Sequence, residues 1–139
     1  MVGAVAGDII GSVYEHRSPR ARSFPLFHPL SCFTDDTVLG LAVARSITKG
    51  EPYAAALREF GRRHPQAGYG GNFYRWLMID DAPPYRSWGN GAPMRVPAVG
   101  WAYDSVEEVL REAEASAAVT HDHPEGIKGA QAVALSVYL

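Results

Sequence analysis

The sequence has very little cysteine, because Cys32 is the only one in 139 residues. A single thiol cannot form an intrachain disulfide, and it cannot supply the cysteine cluster that holds a structural zinc ion. The sequence around Cys32 shows no sign of an activated nucleophile, so we expect this side chain to lie in the core. The lack of disulfides is typical of a reducing compartment, and we predict a cytoplasmic location.

The sequence also lacks long apolar runs and an excess of positive charge. Its formal net charge is −2, whereas proteins that bind nucleic acids or membrane surfaces usually carry a basic patch. No stretch approaches the roughly 20 apolar residues of a membrane helix. The N-terminal segment is interrupted by Gly3, Gly7 and Asp8 and has no preceding cation, unlike a signal peptide. We therefore expect neither a membrane nor a nucleic acid as partner.

Strand signals are weak, because β-branched residues nowhere alternate with polar residues over a sustained stretch. Apolar residues instead recur at helical spacing, which predicts an all-α fold. The length is that of one domain, and we assign residues 1–139 to a single domain. The predicted helices cover about 2–15, 34–49, a segment from Pro52, 71–79, a segment capped by Ser105, and a segment from Pro124. The proline-rich segment 17–30 and the segment 80–102 are predicted to be loops.

Two features of the first helix predict its surroundings. Gly3, Gly7 and Gly11 recur every four residues, and such a stripe without side chains predicts the close approach of another helix. Asp8 and Glu15 are seven residues apart, which is nearly two turns, so both carboxylates should point to the same side.

The last helix remains apolar up to Leu139 and shows no C-cap signal. Domains seldom end inside an apolar helix, so we expect further chain or a second copy to cover this end. If nothing covers it, the exposed apolar surface predicts self-association.

Three clusters of residues could carry chemistry, and the first is Thr34, Asp35 and Asp36. In one interpretation they only cap a helix, because a hydroxyl N-cap and two acids suit a helix N-terminus. In the other they bind a divalent cation such as Mg²⁺, which prefers carboxylate and hydroxyl oxygens. Asp8 and Glu15 would add negative charge if the first helix packs alongside.

The second cluster is the glycine-containing segment from Trp88 to Arg95. Asn-Gly is a common turn sequence, but no strands flank it here. Glycines beside Asn90 would let the backbone approach a ligand closely, and successive N–H groups in such a loop can bind phosphate.

The third cluster runs from Thr120 to Gly126 and contains His121, Asp122 and His123. It can be a helix start with Pro124 at the first helical position. It can also be a ligand-contacting histidine or a metal site. A His-Asp pair in a helical protein is typical of HD phosphohydrolases, with His64 as an upstream ligand, but no acidic residue follows Glu125 to supply the downstream ligand.

Taken in order, these motifs resemble those of the ADP-ribosylglycohydrolase family. The stretches that carry the resemblance are GAVAGDIIG (3–11), FTDDT (33–37), WGNGAPMRVPAVG (88–100) and THDHPEGIKGAQA (120–132). The resemblance implies a compact all-α multi-helix bundle and a hydrolase that cleaves the glycosidic bond between ADP-ribose and an acceptor, such as a protein side chain.

The resemblance also implies roles for particular residues. Thr34, Asp35 and Asp36 would bind metal in a site that holds two Mg²⁺ ions in the family. Glu15, Asp35 and Asp36 are the candidate catalytic carboxylates, because developing positive charge at the anomeric carbon is stabilised by a nearby carboxylate. The residues expected to contact ADP-ribose are Asn90, Gly91, Met94, Arg95 and His121.

The sequence departs from the family pattern in one important respect. Family members continue and carry a second acidic motif, Asp-x-Asp-Thr, which completes the two-metal site and is not found in this sequence. The chain is therefore expected to represent the N-terminal portion of the family fold. Two alternative functions remain open, namely a non-catalytic fragment that binds ADP-ribose or a partner protein, and an HD-like phosphohydrolase.

Overall fold

The structure is a computed structural model, and it describes residues 1–16, 19 and 22–139. The described residues form seven α-helices and two short 3-10 helices, Ser12–Tyr14 and Pro93–Arg95, with no strand among them. The all-α prediction is confirmed. The α-helices are α1 (Val2–Gly11), α2 (Asp35–Lys49), α3 (Tyr53–Arg63), α4 (Gly71–Met78), α5 (Pro97–Ala102), α6 (Val106–Ala118) and α7 (Pro124–Tyr138).

Helix α2 lies at the centre of the fold. It packs against α1, α3 and α5, while α6 and α7 form an adjacent pair. Side chains such as Leu39 and Val43 have almost no exposed surface, as the sparse polar face of this helix predicts. Gly50 ends the helix with a positive φ of 67°, which glycine adopts without the strain that a Cβ would cause.

The segment 80–102 is not a loop throughout, so that prediction is wrong for its second half. The 3-10 helix and α5 both lie in it. Pro93 and Pro97 each occupy the first position of their helix, where proline has no N–H to lose and its φ suits the helix. A six-residue helix is too short to show an apolar period.

The predicted loop at 17–30 includes residues 17, 18, 20 and 21, which lie outside the described residues. From residue 22 to residue 30 the chain contains no helix. Cys32 follows this segment and is exposed, so the expectation that it lies in the core is wrong.

The glycine stripe on α1 does not meet another helix. A Cβ placed on Gly3, Gly7 or Gly11 would have no neighbour within 4 Å, and no residue of α1 is buried. For the described part of the chain, the predicted close approach is therefore wrong.

Helix α7 packs through its small residues Gly126, Ala130 and Ala134, whereas Leu139 is exposed. Self-association through this end stays a prediction. Within the residues that the structure describes, no helix combines the length and the apolar character needed to cross a bilayer.

Candidate active site

The N-terminus of α2 is held by a residue from α1. The Thr34 side chain accepts a hydrogen bond from the Asp36 N–H (3.3 Å), which confirms the predicted N-cap. Asp8 Oδ2 accepts from the N–H groups of Thr34 (2.8 Å) and Thr37 (3.2 Å), and Asp8 Oδ1 accepts from the Thr34 hydroxyl (2.6 Å). Asp8 thus satisfies backbone donors that a helix start leaves unpaired.

A second anchor fixes the same turn from the other side. The Asp35 N–H donates to the Ala67 carbonyl (2.8 Å) in the connection between α3 and α4. Gly68 follows with a φ of 103°, a conformation that favours glycine. A Cβ on Gly68 would lie 3.8 Å from Asp35 Oδ1, so this connection forms a wall close to the Asp35 carboxylate.

The acidic residues at this turn repel one another. The pKa of Asp35 is raised to about 6, first by burial and then by the charges of Asp36, Glu15 and Asp8, against a lowering by its backbone hydrogen bond. Burial also raises the pKa of Asp36, with Asp8 and Glu15 as additional causes. A group of carboxylates that disfavour each other's ionisation is a suitable place for a cation.

Asp35 and Asp36 open onto a cavity of about 360 Å³, a size common among ligand sites. Its lining combines these carboxylates with residues of the glycine-containing loop. Its lining residues are Glu15, Asp35, Asp36, Leu39, Gly68, Gly70, Gly71, Asn72, Phe73, Tyr85, Ser87, Gly89, Asn90, Gly91, Met94 and His121.

A second groove, of about 350 Å³, adjoins this cavity. Glu15, Asp36 and Asn90 line both, so they form the border between them, and Thr34 and Asp8 lie in the groove. Asp8 and Glu15 both line this groove. The predicted α-helix over 2–15, on which their spacing argument rested, is wrong beyond Gly11, because a 3-10 helix follows there.

His121 lies beneath the glycine-containing loop and is almost fully buried. A Cβ on Gly91 would come within 3.0 Å of His121 Cε1 and 3.1 Å of Nε2, so the missing side chain of Gly91 leaves room for the imidazole. Burial lowers the pKa of His121 to about 4, helped by the positive charge of Arg95 and opposed by Asp122. The ring is therefore neutral near neutral pH.

Arg95 is the one predicted ligand-binding residue that does not line the cavity. It is fully buried, and its Nη2 donates to the Ser116 carbonyl (2.5 Å) and to Thr120 Oγ1 (3.1 Å). The other predicted residues, namely Glu15, Asp35, Asp36, Asn90, Gly91, Met94 and His121, line the cavity together, and Thr34 lines the groove.

Sequence reasoning missed the wall formed by the segment 68–73 and the contribution of Tyr85 and Ser87. The run Gly-Tyr-Gly-Gly-Asn at 68–72 could have indicated it, because closely spaced glycines allow the backbone to approach a ligand. Only Gly71 and Asn72 of this run belong to the predicted helix 71–79.

The donor chemistry at the start of α2 suits Mg²⁺, but the described side chains do not form a complete metal site. Two carboxylates and a hydroxyl are hard oxygen donors. In the described residues, however, no group of three or more His, Cys, Asp or Glu side chains is arranged to hold a metal ion. Thr34, Asp35 and Asp36 could provide only some of the ligands.

The described residues form an all-helical fold with an acid-lined cavity. The family model for ADP-ribosylglycohydrolase matches residues 1–139, and the chain belongs to this family. It is 30% identical over 179 residues to "ADP-ribosylhydrolase ARH3" of Bos taurus, covering 100% of this chain and 48% of that protein. The Homo sapiens protein of the same name is 29% identical over 174 residues, with the same coverage. The chain thus spans about half the length of these relatives.

Proposed function

We propose that this chain carries part of the active site of a Mg²⁺-dependent hydrolase that cleaves the glycosidic bond between ADP-ribose and an acceptor such as a protein side chain. The observation that carries the proposal is that one cavity is lined both by Glu15, Asp35 and Asp36 and by Asn90 and Gly91 of the loop. Membership of the family and the names of its relatives support the choice of ADP-ribose.

Thr34, Asp35 and Asp36 would hold Mg²⁺ through their oxygens, with further ligands from water or other parts of the protein. When bound, the ion would orient the ribose hydroxyls and lower the pKa of a water molecule bound to it. The Thr34 hydroxyl donates a hydrogen bond to Asp8, so a lone pair on its oxygen remains available to coordinate the metal ion.

The carboxylates would also act on the sugar itself. Departure of the acceptor leaves positive charge on the anomeric carbon, and a carboxylate across the cavity stabilises that charge. Glu15 stands at the border between cavity and groove, where it can reach a ribose that spans both. Asn90, Gly91, Met94 and His121, which line the same cavity, would contact the rest of ADP-ribose.

A calorimetric titration of ADP-ribose into the chain, with and without Mg²⁺, tests the proposal. Asp35→Asn should abolish any Mg²⁺-dependent part of the affinity. Once the rest of the metal site is supplied, it should also abolish Mg²⁺-dependent hydrolysis, measured as release of ADP-ribose. Asp104→Asn changes an exposed carboxylate outside the cavity and should leave both unchanged. Binding and hydrolysis that are the same in Asp35→Asn as in the unaltered chain would contradict the proposal.

A non-catalytic ADP-ribose binder is the second candidate. It is favoured by the incomplete set of metal ligands among the described residues. ADP-ribose binding without hydrolysis at any Mg²⁺ concentration would support it over the enzyme.

The HD-like phosphohydrolase has less support. Its His-Asp pair would have to face one metal ion, but Asp122 Oδ1 accepts from the Arg86 N–H (2.7 Å) and His121 Nδ1 faces Thr120. Phosphate release from common nucleotides that depends on His121 and Asp122 would restore this alternative.

A further inference from the structure

Arg95, Thr120 and His121 form a continuous hydrogen-bonded series beneath the cavity. Arg95 Nη2 lies 3.1 Å from Thr120 Oγ1, and Thr120 Oγ1 lies 2.8 Å from His121 Nδ1. All three residues are almost completely buried, so water does not compete strongly for these contacts.

The chemistry of the first member gives the series a direction. A guanidinium has only donors, so Thr120 Oγ1 must be the acceptor of the Arg95 hydrogen bond. The threonine hydroxyl keeps one hydrogen of its own, and the positive charge beside it makes that hydrogen a better donor. The nearest ring nitrogen that can accept it is His121 Nδ1.

We propose that Arg95 and Thr120 act as positioning residues that fix the His121 proton on Nε2, so that the ring presents a hydrogen-bond donor to the cavity. A neutral imidazole has one N–H, and when Nδ1 accepts from Thr120 the hydrogen must be on Nε2. The Cε1–Nε2 edge of the ring lies against Gly91 in the cavity wall. A ligand atom that contacts His121 Nε2 is therefore a hydrogen-bond acceptor, such as a phosphate or hydroxyl oxygen.

Two other groups, Asp122 and Tyr85, act on this series. Asp122 attracts a proton to His121, and Arg95 repels one. Tyr85 is half-buried, and its ring centroid lies 5.8 Å from that of His121. Burial raises the pKa of the Tyr85 hydroxyl, whereas a hydrogen bond from the Thr120 side chain lowers it. Tyr85 is the competing acceptor for the Thr120 hydrogen. The position of the ring proton on His121 therefore shows whether Thr120 donates to His121 or to Tyr85.

Two-bond ¹H–¹⁵N correlation spectra of the ligand-free, ¹⁵N-labelled chain test the proposal, with His121→Gln used only to assign the signals. We expect a hydrogen on Nε2 and none on Nδ1 between pH 6 and pH 8. The exposed His64 gives an internal reference in the same spectra. A hydrogen on Nδ1 in the unaltered chain would overturn the proposal without any variant.

Thr120→Val removes the hydroxyl but keeps the shape, and Thr120→Ser keeps the hydroxyl. The valine variant should show a mixture of both tautomers, and the serine variant should behave like the unaltered chain. An unchanged tautomer in the valine variant, with a native-like backbone spectrum, would contradict the proposal. The backbone spectrum also identifies a variant that fails to fold, in which case the unaltered chain decides alone.

The identity of the ligand rests on the proposed function, whereas the tautomer does not. If His121 donates a hydrogen bond to ADP-ribose, Thr120→Val should weaken ADP-ribose binding roughly tenfold, as expected for one lost hydrogen bond to a charged group. A fixed Nε2 proton together with no ADP-ribose binding would leave the series in place and refute the proposed function.

Discussion

The carboxylate of Asp8 accepts three hydrogen bonds at the start of α2, and two of them come from Thr34. Its Oδ2 lies 2.8 Å from the Thr34 nitrogen, and its Oδ1 lies 2.6 Å from the Thr34 hydroxyl oxygen. The helix that carries the candidate metal ligands is therefore positioned by an acid from α1, which is not itself expected to bind metal.

Replacing Asp8 should consequently destabilise the protein and disturb the site. Asp8→Ala leaves the N–H groups of Thr34 and Thr37 and the Thr34 hydroxyl without their acceptor. We expect the free energy of unfolding in urea to fall by about 1–3 kcal/mol, the usual cost of losing hydrogen bonds to a charged group. Asp81→Ala, which removes an exposed carboxylate, serves as the control. A stability equal to that of the control would show that Asp8 does not hold the helix.

The raised pKa of Asp35 predicts how stability depends on pH in the absence of metal. Folding favours the protonated carboxyl, so Asp35 contributes stability below pH 4 or so, and this contribution is lost as the pH rises through about 6. Asp35→Asn should therefore raise the free energy of unfolding at pH 7, by roughly 1–2 kcal/mol after solvent screening. At pH 3.5 the two proteins should be about equally stable. A variant less stable than the unaltered chain at pH 7 would contradict this reading of the acidic cluster.

The same pKa makes Mg²⁺ binding depend on pH. A cation requires the ionised carboxylate, so binding at pH 6 should displace a fraction of a proton from Asp35, and binding at pH 8 should displace almost none. Calorimetric titrations of Mg²⁺ in two buffers with different ionisation enthalpies measure the protons released. Proton release that is the same at both values of pH would show that Asp35 is not a ligand.

The sequence predicted those parts of the fold and site that depend on residues close together along the chain. The caps of Thr34 and Ser105 have local signals, and the structure confirms both. The contact between Asp8 and Thr34 joins residues 26 positions apart, so helical periodicity could place them on a face but could not pair them. The glycine stripe of α1 failed for the same reason, because a stripe does not specify what covers it.

The candidate ligand loop shows the same division between local and long-range information. Asn90 and Gly91 were predicted from a short motif, and they line the cavity. Arg95 belongs to the same motif, but the 3-10 helix turns its side chain inwards, towards α6. Residue type alone could not distinguish an arginine that binds a phosphate from a buried arginine that bonds to Ser116 and Thr120 beneath the cavity.

A substitution at Gly91 provides the sharpest test of whether the position of His121 shapes the ligand site. A methyl group at this position would lie 3.0 Å from His121 Cε1, closer than an ordinary van der Waals contact, so the buried ring would have to shift by a few tenths of an ångström. Gly91→Ala should therefore displace His121 and weaken ADP-ribose binding at least tenfold, while the rest of the core changes little. Gly3→Ala adds the same methyl group where nothing lies within 4 Å, and its affinity should be unchanged. If Gly91→Ala binds ADP-ribose as tightly as Gly3→Ala does, the contact between Gly91 and His121 does not shape the ligand site.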